Sequence, residues 1–129
     1  LLARIVQLFA PGIPQVYYVG LLAGANDMES LKKIGEPRSI NRHNYTEEEI
    51  AGCVDNPMLQ RMFEIMRFRN QYPAFDGDIE IDESAENGKL GITWRNKEYF
   101  ATLDADFLTK QYQITCRNEN GEKEVLFHS

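Results

Sequence analysis

A short apolar run followed by a long polar connection is the feature that most constrains this chain. Residues 13–19 (IPQVYYV) lie between Pro and Gly residues and are rich in β-branched and aromatic side chains, which predicts a strand. Because the run is nearly continuous, we expect this strand to be buried on both faces, as in a parallel sheet. Residues 20–45 then lack a long periodic pattern and end in the polar cluster RSINRHNY. Connections this long are usually functional, and α/β barrels carry their active sites on loops of this kind.

Helix signals lie on both sides of this connection. Residues 1–10 have apolar side chains at helical spacing on most sides and are followed by a Pro-Gly pair, which predicts a helix that ends there. Because most of its surface is apolar, we expect some of the residues that cover this helix to lie outside the chain. Residues 57–72 are predicted to form the longest helix, with Asn56 as its N-cap. Two shorter helices are predicted from capping boxes, namely Asn26 with Glu29 and Thr46 with Glu49.

After Gly77 the apolar pattern changes from the period of a helix to that of a strand. Five short runs alternate between apolar and polar side chains, which predicts five antiparallel strands with one face in a core and an acidic face in water. The pairs Asn96-Lys97 and Asn120-Gly121 separate neighbouring runs and predict hairpin turns. Trp94 is the only tryptophan, and its inward position in the pattern predicts that it lies in the core.

The 129 residues suffice for a sizeable core, and their charge is uneven. Residues 1–75 contain eight basic and eight acidic side chains, whereas residues 76–129 contain six basic and twelve acidic ones and carry the whole net charge of −6. This asymmetry predicts a boundary near residues 73–77, between a first domain, 1–75, and a second, 76–129. The acidic second half also argues against nucleic acid and anionic membranes as partners.

Cysteine and histidine usage predicts neither a disulfide framework nor a metal site. Cys53 and Cys116 lack the CxxC spacing, so we predict free thiols and a cytoplasmic location. His43 and His128 have no partners at ligand spacing, so we predict no metal.

The first apolar segment is too short for a membrane span and lacks the basic flank of a signal peptide. Because the chain starts inside a helical pattern without a Met, we expect it to be a fragment of a longer protein.

The order of these elements resembles the C-terminal part of the (β/α)8-barrel enzymes of the α-amylase superfamily, glycoside hydrolase family 13. Their eighth barrel strand carries a Pro-Gly-Ile-Pro-x-x-Tyr-Tyr-Gly run, which residues 11–20 match with Val19 inserted before Gly20. The longer pattern of residues 15–29 and 40–43 resembles the sucrose phosphorylases and their close relatives. The resemblance implies an α+β fragment. Its first part would consist of a helix, strand eight, a long active-site loop and the last helix of a barrel. Its second part would be a small antiparallel β domain, which resembles these enzymes in architecture alone.

Sucrose phosphorylases are retaining enzymes, and the resemblance implies their reaction for the parent protein. A carboxylate attacks the anomeric carbon, and inorganic phosphate then releases the glucosyl group, so that sucrose gives glucose 1-phosphate and fructose. In this family the three catalytic carboxylates follow earlier barrel strands, upstream of Leu1. We therefore expect no catalytic residue in this chain and no activity from it alone. The implied partners are the sugar and phosphate, and no cofactor is implied.

One residue of the family's active site carries over to this sequence. The arginine of an Asn-Arg pair after strand eight lines the glucosyl subsite, where it meets an upstream Asp and the sugar's 4-hydroxyl; it corresponds to Arg42, beside Asn41. A planar guanidinium can hold a carboxylate with one edge and donate to a hydroxyl with another. Arg38 and His43 are weaker candidates for the aglycone or phosphate side. The alternatives are an ordinary surface arginine and a structural, hydrogen-bonding histidine.

Other functions remain open at this point. The parent protein could be an α-glucosidase or transglycosylase of the same superfamily, and its acceptor could be fructose, fructose 6-phosphate or a glycerol-like molecule. The chain could also be a non-catalytic β module that binds carbohydrate or oligomerises, although Trp94 in a core would offer no exposed sugar platform. Tyr17 and Tyr18 are predicted to be core residues at the strand end. Without the rest of a barrel, residues 1–19 should pack poorly or form a homo-oligomer through the exposed barrel surface.

Overall fold

The computed structural model describes residues 1–22, 24, 28–37, 41–82 and 87–129, with the side chains of residues 30 and 34 excepted. The helices in these ranges are α1 (Leu2–Phe9), α2 (Tyr18–Leu21), α3 (Met28–Ile34), α4 (Glu47–Val54) and α5 (Pro57–Gln71), and a 3₁₀ turn spans Pro73–Asp76. The strands are β1 (Asp78–Ile81), β2 (Lys89–Asn96), β3 (Tyr99–Asp106), β4 (Gln111–Arg117) and β5 (Lys123–His128).

The strands form one antiparallel sheet in the order β1-β2-β3-β4-β5, which confirms the predicted set of five strands. Both predicted hairpin turns are present. Lys97 turns the chain between β2 and β3 with a positive φ of 54°, and Gly121 does the same between β4 and β5 with a φ of 84°. The side chain of Asn118 supports the second turn by accepting hydrogen bonds from the backbone N–H groups of Asn120 and Glu122.

One face of the sheet carries the main hydrophobic core. Alternate residues of β2, β3 and β4 point into it, and Trp94 is buried there as predicted. Helix α1 contributes Ile5, Leu8 and Phe9 to the same core, and α5 contributes Ile65. The other buried members are Ala74, Phe75, Ile92, Ala101, Leu103, Ala105, Tyr112, Ile114 and Phe127. The alternation of strands β2 to β4 therefore decides which face of the sheet the helices cover.

Two side chains distant in sequence satisfy the last carbonyl groups of α1. Trp94 donates from Nε1 to the carbonyl oxygen of Phe9 at 2.8 Å. Arg69 donates from Nε to the carbonyl oxygen of Leu8 at 2.8 Å and from a terminal nitrogen to that of Gly12 at 3.3 Å. Its guanidinium carbon lies 4.4 Å from the ring centre of Phe75 and 5.1 Å from that of Trp94. The carbonyl groups that a helix end leaves unpaired are thus capped by tertiary contacts.

The predicted buried strand at residues 13–19 is wrong. Residues 13–17 have no regular secondary structure, Ile13 is 98% exposed, and α2 begins at Tyr18. A strand of a parallel sheet needs neighbouring strands for its backbone hydrogen bonds. Every strand in the described part of the chain belongs to the sheet β1–β5, so none of them borders this segment.

The local helix signals are confirmed. Thr46 and Glu49 form a complete capping box at the start of α4, and the side chain of Asn56 accepts a hydrogen bond from the backbone of Met58 in the first turn of α5. Helix α3 forms as predicted, whereas the Asn26 cap proposed for it lies outside the described residues. Each of these signals is short-range, which is why sequence alone located them.

The chain divides into two compact units. Unit 1 consists of Leu1–Pro14 and Glu64–Ser129 and contains the sheet and its core. Unit 2, Gln15–Phe63, contains α2, α3, α4 and the first turns of α5, and its buried side chains include Val19, Leu59 and Met62. The proposed division into domains 1–75 and 76–129 stays a prediction. No helix of the described residues is both long enough and apolar enough to cross a membrane.

Candidate functional site

The candidate site lies in unit 2, in the polar segment that the sequence singled out. Asn41 and Arg42 are exposed there, and His43 is partly buried. Arg38 lies outside the described residues. No hydrogen bond or ion pair joins Arg42 to any residue that the structure describes.

A closed group of side chains lies immediately beside Arg42, and we call Tyr18, His43, Tyr45 and Glu49 the Tyr–His cluster. The Tyr18 hydroxyl donates to the backbone carbonyl of His43 at 3.0 Å. The His43 ring meets the Tyr45 ring edge to face at 4.6 Å, and Tyr45 meets Tyr18 in the same way at 6.1 Å. Edge-to-face pairs at these distances are favourable contacts. The three aromatic residues therefore hold one another in place.

Glu49 connects the cluster to the first turn of α4. Its carboxylate oxygens lie 3.2 and 3.4 Å from Nε2 of His43, and Oε2 also accepts from the backbone N–H of Thr46 at 2.7 Å. The hydrogen bond from the Thr46 backbone, followed by that from His43, holds the pKa of Glu49 below its usual value. The carboxylate is therefore charged at neutral pH and fixed by two donors.

The hydroxyl groups of the cluster have raised pKa values. For Tyr18, loss of solvent is the largest cause and the neighbouring Tyr17 hydroxyl adds to it, while the charge of Arg42 acts in the opposite direction and lowers the pKa. For Tyr45, loss of solvent again raises the pKa most. Both phenols are therefore neutral hydrogen-bonding groups at physiological pH. The effect of Arg42 on Tyr18 shows that the guanidinium lies within electrostatic reach of the cluster.

Gly24 makes room for Tyr45. A Cβ atom added at Gly24 would collide with the Tyr45 hydroxyl and come within 3.1 Å of Cγ1 of Val19. The Gly24 backbone N–H also donates to the carbonyl oxygen of Val19 at 2.8 Å. A glycine at this position thus lets the backbone approach the cluster closely.

Sequence reasoning found part of this site and missed the rest. It placed Asn41, Arg42 and His43 together, and it identified Glu49 only as a helix cap. Tyr17 and Tyr18 were predicted to be core residues, which is wrong: they are 50% and 37% exposed. Because the strand that would have buried them does not form in this chain, their rings pack on each other at 4.6 Å instead.

A second concave region lies on the open face of the sheet in unit 1. Its cavity of about 700 Å³ is lined by charged and polar side chains of β2 to β5, including Lys89, Asp104, Gln113 and His128. None of the candidate site residues lines it. Within the described residues, no group of three or more His, Cys, Asp or Glu side chains is placed to hold a metal ion.

Comparison with known proteins relates nearly the whole chain to one group of enzymes. It is 46% identical over 125 residues to the glucosylglycerol phosphorylase of Marinobacter adhaerens, a match that covers 96% of this chain and 26% of that protein. It is 47% identical over 116 residues to the sucrose phosphorylase of Agrobacterium vitis, covering 90% of this chain and 24% of that protein. The chain thus spans about a quarter of the length of the curated relatives it matches. No protein-family model matches it.

A solved structure shares the fold as well. The crystal structure of sucrose 6F-phosphate phosphorylase from Thermoanaerobacter thermosaccharolyticum superposes with a TM-score of 0.93 at 44% sequence identity. The match covers 98% of this chain and 25% of that one. At this identity both the fold and the ancestry of the segment are shared.

Proposed function

We infer that this chain, a relative of the sucrose phosphorylases over nearly its whole length, forms part of an enzyme that transfers a glucosyl group to phosphate. The observation that carries the proposal is the 44–47% identity to phosphorylases, together with a TM-score of 0.93. Double displacement at a sugar needs two carboxyl groups on opposite sides of the bond. We propose that other parts of the protein supply them, so that this chain alone does not turn over.

We propose that residues 1–75 complete a (β/α)8 barrel. An exposed Ile13 and an irregular backbone over residues 13–17 are what a barrel strand would show without its neighbours. In the complete enzyme, adjacent strands would provide the missing backbone partners and cover the exposed side chain of Ile13. Alternatively, a homo-oligomer through this surface would cover the same side chain, and sedimentation of the chain alone distinguishes a monomer from an oligomer.

In this proposal Arg42 lines the glucosyl subsite. The support is its exposure, the absence of a hydrogen-bond or ion-pair partner among the described residues, and its position beside the Tyr–His cluster. A guanidinium held in this way can bind a carboxylate and a sugar hydroxyl at once and so fix the orientation of the glucosyl ring. Asn41 lies beside it, and Arg38 and His43 are proposed for the aglycone or phosphate side.

Sucrose is the first substrate to test. The matched relatives have different names, glucosylglycerol phosphorylase and sucrose phosphorylase among them, at nearly equal identity to this chain. What these names share is phosphorolysis of a glucoside, and that is the reaction we propose. We also propose a cytoplasmic location on the basis of the two thiols.

The decisive experiment measures phosphate-dependent release of glucose 1-phosphate from sucrose by the complete enzyme that carries this segment. Phosphate-dependent release is expected. Release of glucose 1-phosphate only from another glucoside, such as glucosylglycerol, would support phosphorolysis with a substrate other than sucrose. Glucose production that does not need phosphate would instead show a hydrolase of the α-amylase superfamily, and no turnover of any glucoside would favour a non-catalytic carbohydrate-binding module.

A substitution tests the role of Arg42 in the same assay. Arg42→Ala should lower kcat/KM by an amount equivalent to about 2–4 kcal/mol, because one oriented donor to the transition state is lost. Arg67→Ala is the matched control, since Arg67 is an exposed arginine on α5, and it should leave kcat/KM unchanged. Equal kinetics for the two variants would remove Arg42 from the site.

A further inference from the structure

We propose that Glu49 is a positioning residue for Arg42 and acts through His43. The proposal rests on the proposed function, because it gives Glu49 a part in the binding of the glucosyl group. Glu49 itself need not touch the substrate. Its role would be to hold the ring of His43, and thereby the peptide that joins His43 to Arg42, in one orientation.

Two of the contacts that the structure describes hold His43 at separate points. The Tyr18 hydroxyl fixes its backbone carbonyl from α2, and the Glu49 carboxylate fixes its ring from α4. Arg42 is the preceding residue and is joined to His43 by a planar peptide bond, so fixing His43 restricts where the Cα atom of Arg42 can lie. A guanidinium at the end of a long, exposed side chain gains most from a rigid backbone, since its own rotamers are otherwise unrestrained.

Glu49 is suited to this role by its position in the capping box. One of its oxygens is already oriented by the Thr46 backbone N–H, and the positive end of α4 favours a carboxylate in the first turn. The carboxylate therefore meets the His43 ring in a fixed position. Glu48 lies in the same turn, is exposed and takes no part in the capping box, which makes it a matched control.

The expected effect is on catalysis, because small displacements of positioning groups are costly. A displacement of about 1 Å by a substitution away from the reacting atoms can lower a rate about a hundredfold. Supporting residues left unrestrained are a common cause of such displacement. Loss of Glu49 should thus affect the glucosyl group through the altered position of Arg42.

The test compares variants of the complete enzyme by phosphorolysis of sucrose. Glu49→Ala should lower kcat/KM about tenfold or more, whereas Glu48→Ala should stay within about twofold of the wild type. Glu49→Gln keeps an acceptor for His43 and a side chain suited to a capping box, so it should recover most of the loss. Recovery by this conservative variant would show that kcat/KM depends on a hydrogen-bond acceptor at position 49.

Combination with Arg42→Ala separates positioning from a general structural effect. If Glu49 acts through Arg42, then Glu49→Ala should change kcat/KM little in a protein that already carries Arg42→Ala. Additive losses would overturn the proposal, as would a Glu49→Ala enzyme equal to the wild type. If Glu49→Ala does not fold, Glu49→Asp keeps an acidic side chain that suits a capping box but draws the carboxylate back from His43 by one methylene; it should give the same loss and the same lack of additivity with Arg42→Ala.

The outcomes also separate this proposal from the proposed function. A wild-type enzyme that releases glucose 1-phosphate while the Glu49 variants match it would refute the positioning role alone. A wild-type enzyme that hydrolyses glucosides would refute phosphorolysis, and the same variants would then be compared by glucose release. An enzyme without activity on any glucoside would overturn both.

Discussion

Replacement of Arg69 by Met should destabilise unit 1 markedly, although Arg69 lies outside the candidate site. Met keeps an unbranched side chain of similar reach that can still cover the rings of Phe75 and Trp94. It removes the charge and the donors that cap the carbonyl groups of Leu8 and Gly12. The substitution therefore separates what the charge and hydrogen bonds of Arg69 contribute to stability from what its packing contributes.

The magnitude follows from the individual contacts. A hydrogen bond from a charged donor contributes about 1.5–3 kcal/mol, and the 2.8 Å bond to Leu8 belongs in this range. The longer, more exposed bond to Gly12 adds little, and the two aromatic contacts add about 0.5–2 kcal/mol. Loss of solvent lowers the pKa of Arg69, so burial opposes its charge and offsets part of this sum. We expect a net loss of about 2–3 kcal/mol in the free energy of unfolding, or roughly 10 °C in Tm for a chain of this length.

Urea unfolding monitored by tryptophan fluorescence measures this loss directly. Trp94 is the only tryptophan and lies in the core of unit 1, so its signal reports on that unit. Arg67→Met on the same helix is the control, and it should change the free energy of unfolding by less than about 0.5 kcal/mol. Equal midpoints for the two variants would show that the cap on α1 contributes nothing to stability.

Two further predictions concern titratable groups in the sheet. The backbone N–H groups of Thr109 and Leu108 donate to Asp106 and hold its pKa below the usual value of an aspartate, so its stabilising effect is fully present above that usual value and is lost as the pH falls through the folded-state pKa. Asp106→Asn should therefore destabilise the chain at pH 7 and have a smaller effect near pH 3 in urea unfolding; a constant difference would contradict this. Burial raises the pKa of Cys116 to about 11, so its thiolate is about a thousandth of the total at pH 8. Under native conditions a Cys53→Ser chain should react with a thiol reagent at least about a hundred times more slowly than a Cys116→Ser chain, and urea should abolish the difference.

Sequence predicted the features whose causes are local. The alternation in β2 to β4 and the turn at Asn120-Gly121 determine the sheet within a few residues of each position. The capping box of Thr46 and Glu49 likewise depends on residues three apart. Such patterns are visible without knowledge of the fold.

The features that sequence missed depend on distant partners. Tyr18 reaches a carbonyl group 25 residues away, and Trp94 reaches Phe9 across 85 residues. The segment 13–19 failed as a strand for the same reason, because none of the strands in the described part of the chain pairs with it. A sequence pattern indicates which secondary structure a segment favours, whereas its tertiary contacts decide which structure it adopts.

The attachment of α1 to the sheet has a consequence for which parts of this chain can change in length. Trp94 holds Phe9, and Arg69 holds Leu8 and Gly12, on either side of Pro11. Because α5 enters the same core, the segment Gln15–Phe63 leaves unit 1 and returns to it. The irregular parts of a segment whose two ends are fixed in this way tolerate changes in length, since each doubling of a flexible loop costs only about 0.6 kcal/mol in closure entropy. Insertions, deletions and new side chains can therefore accumulate in the segment that contains Arg42 while the contacts that fix its two ends stay the same.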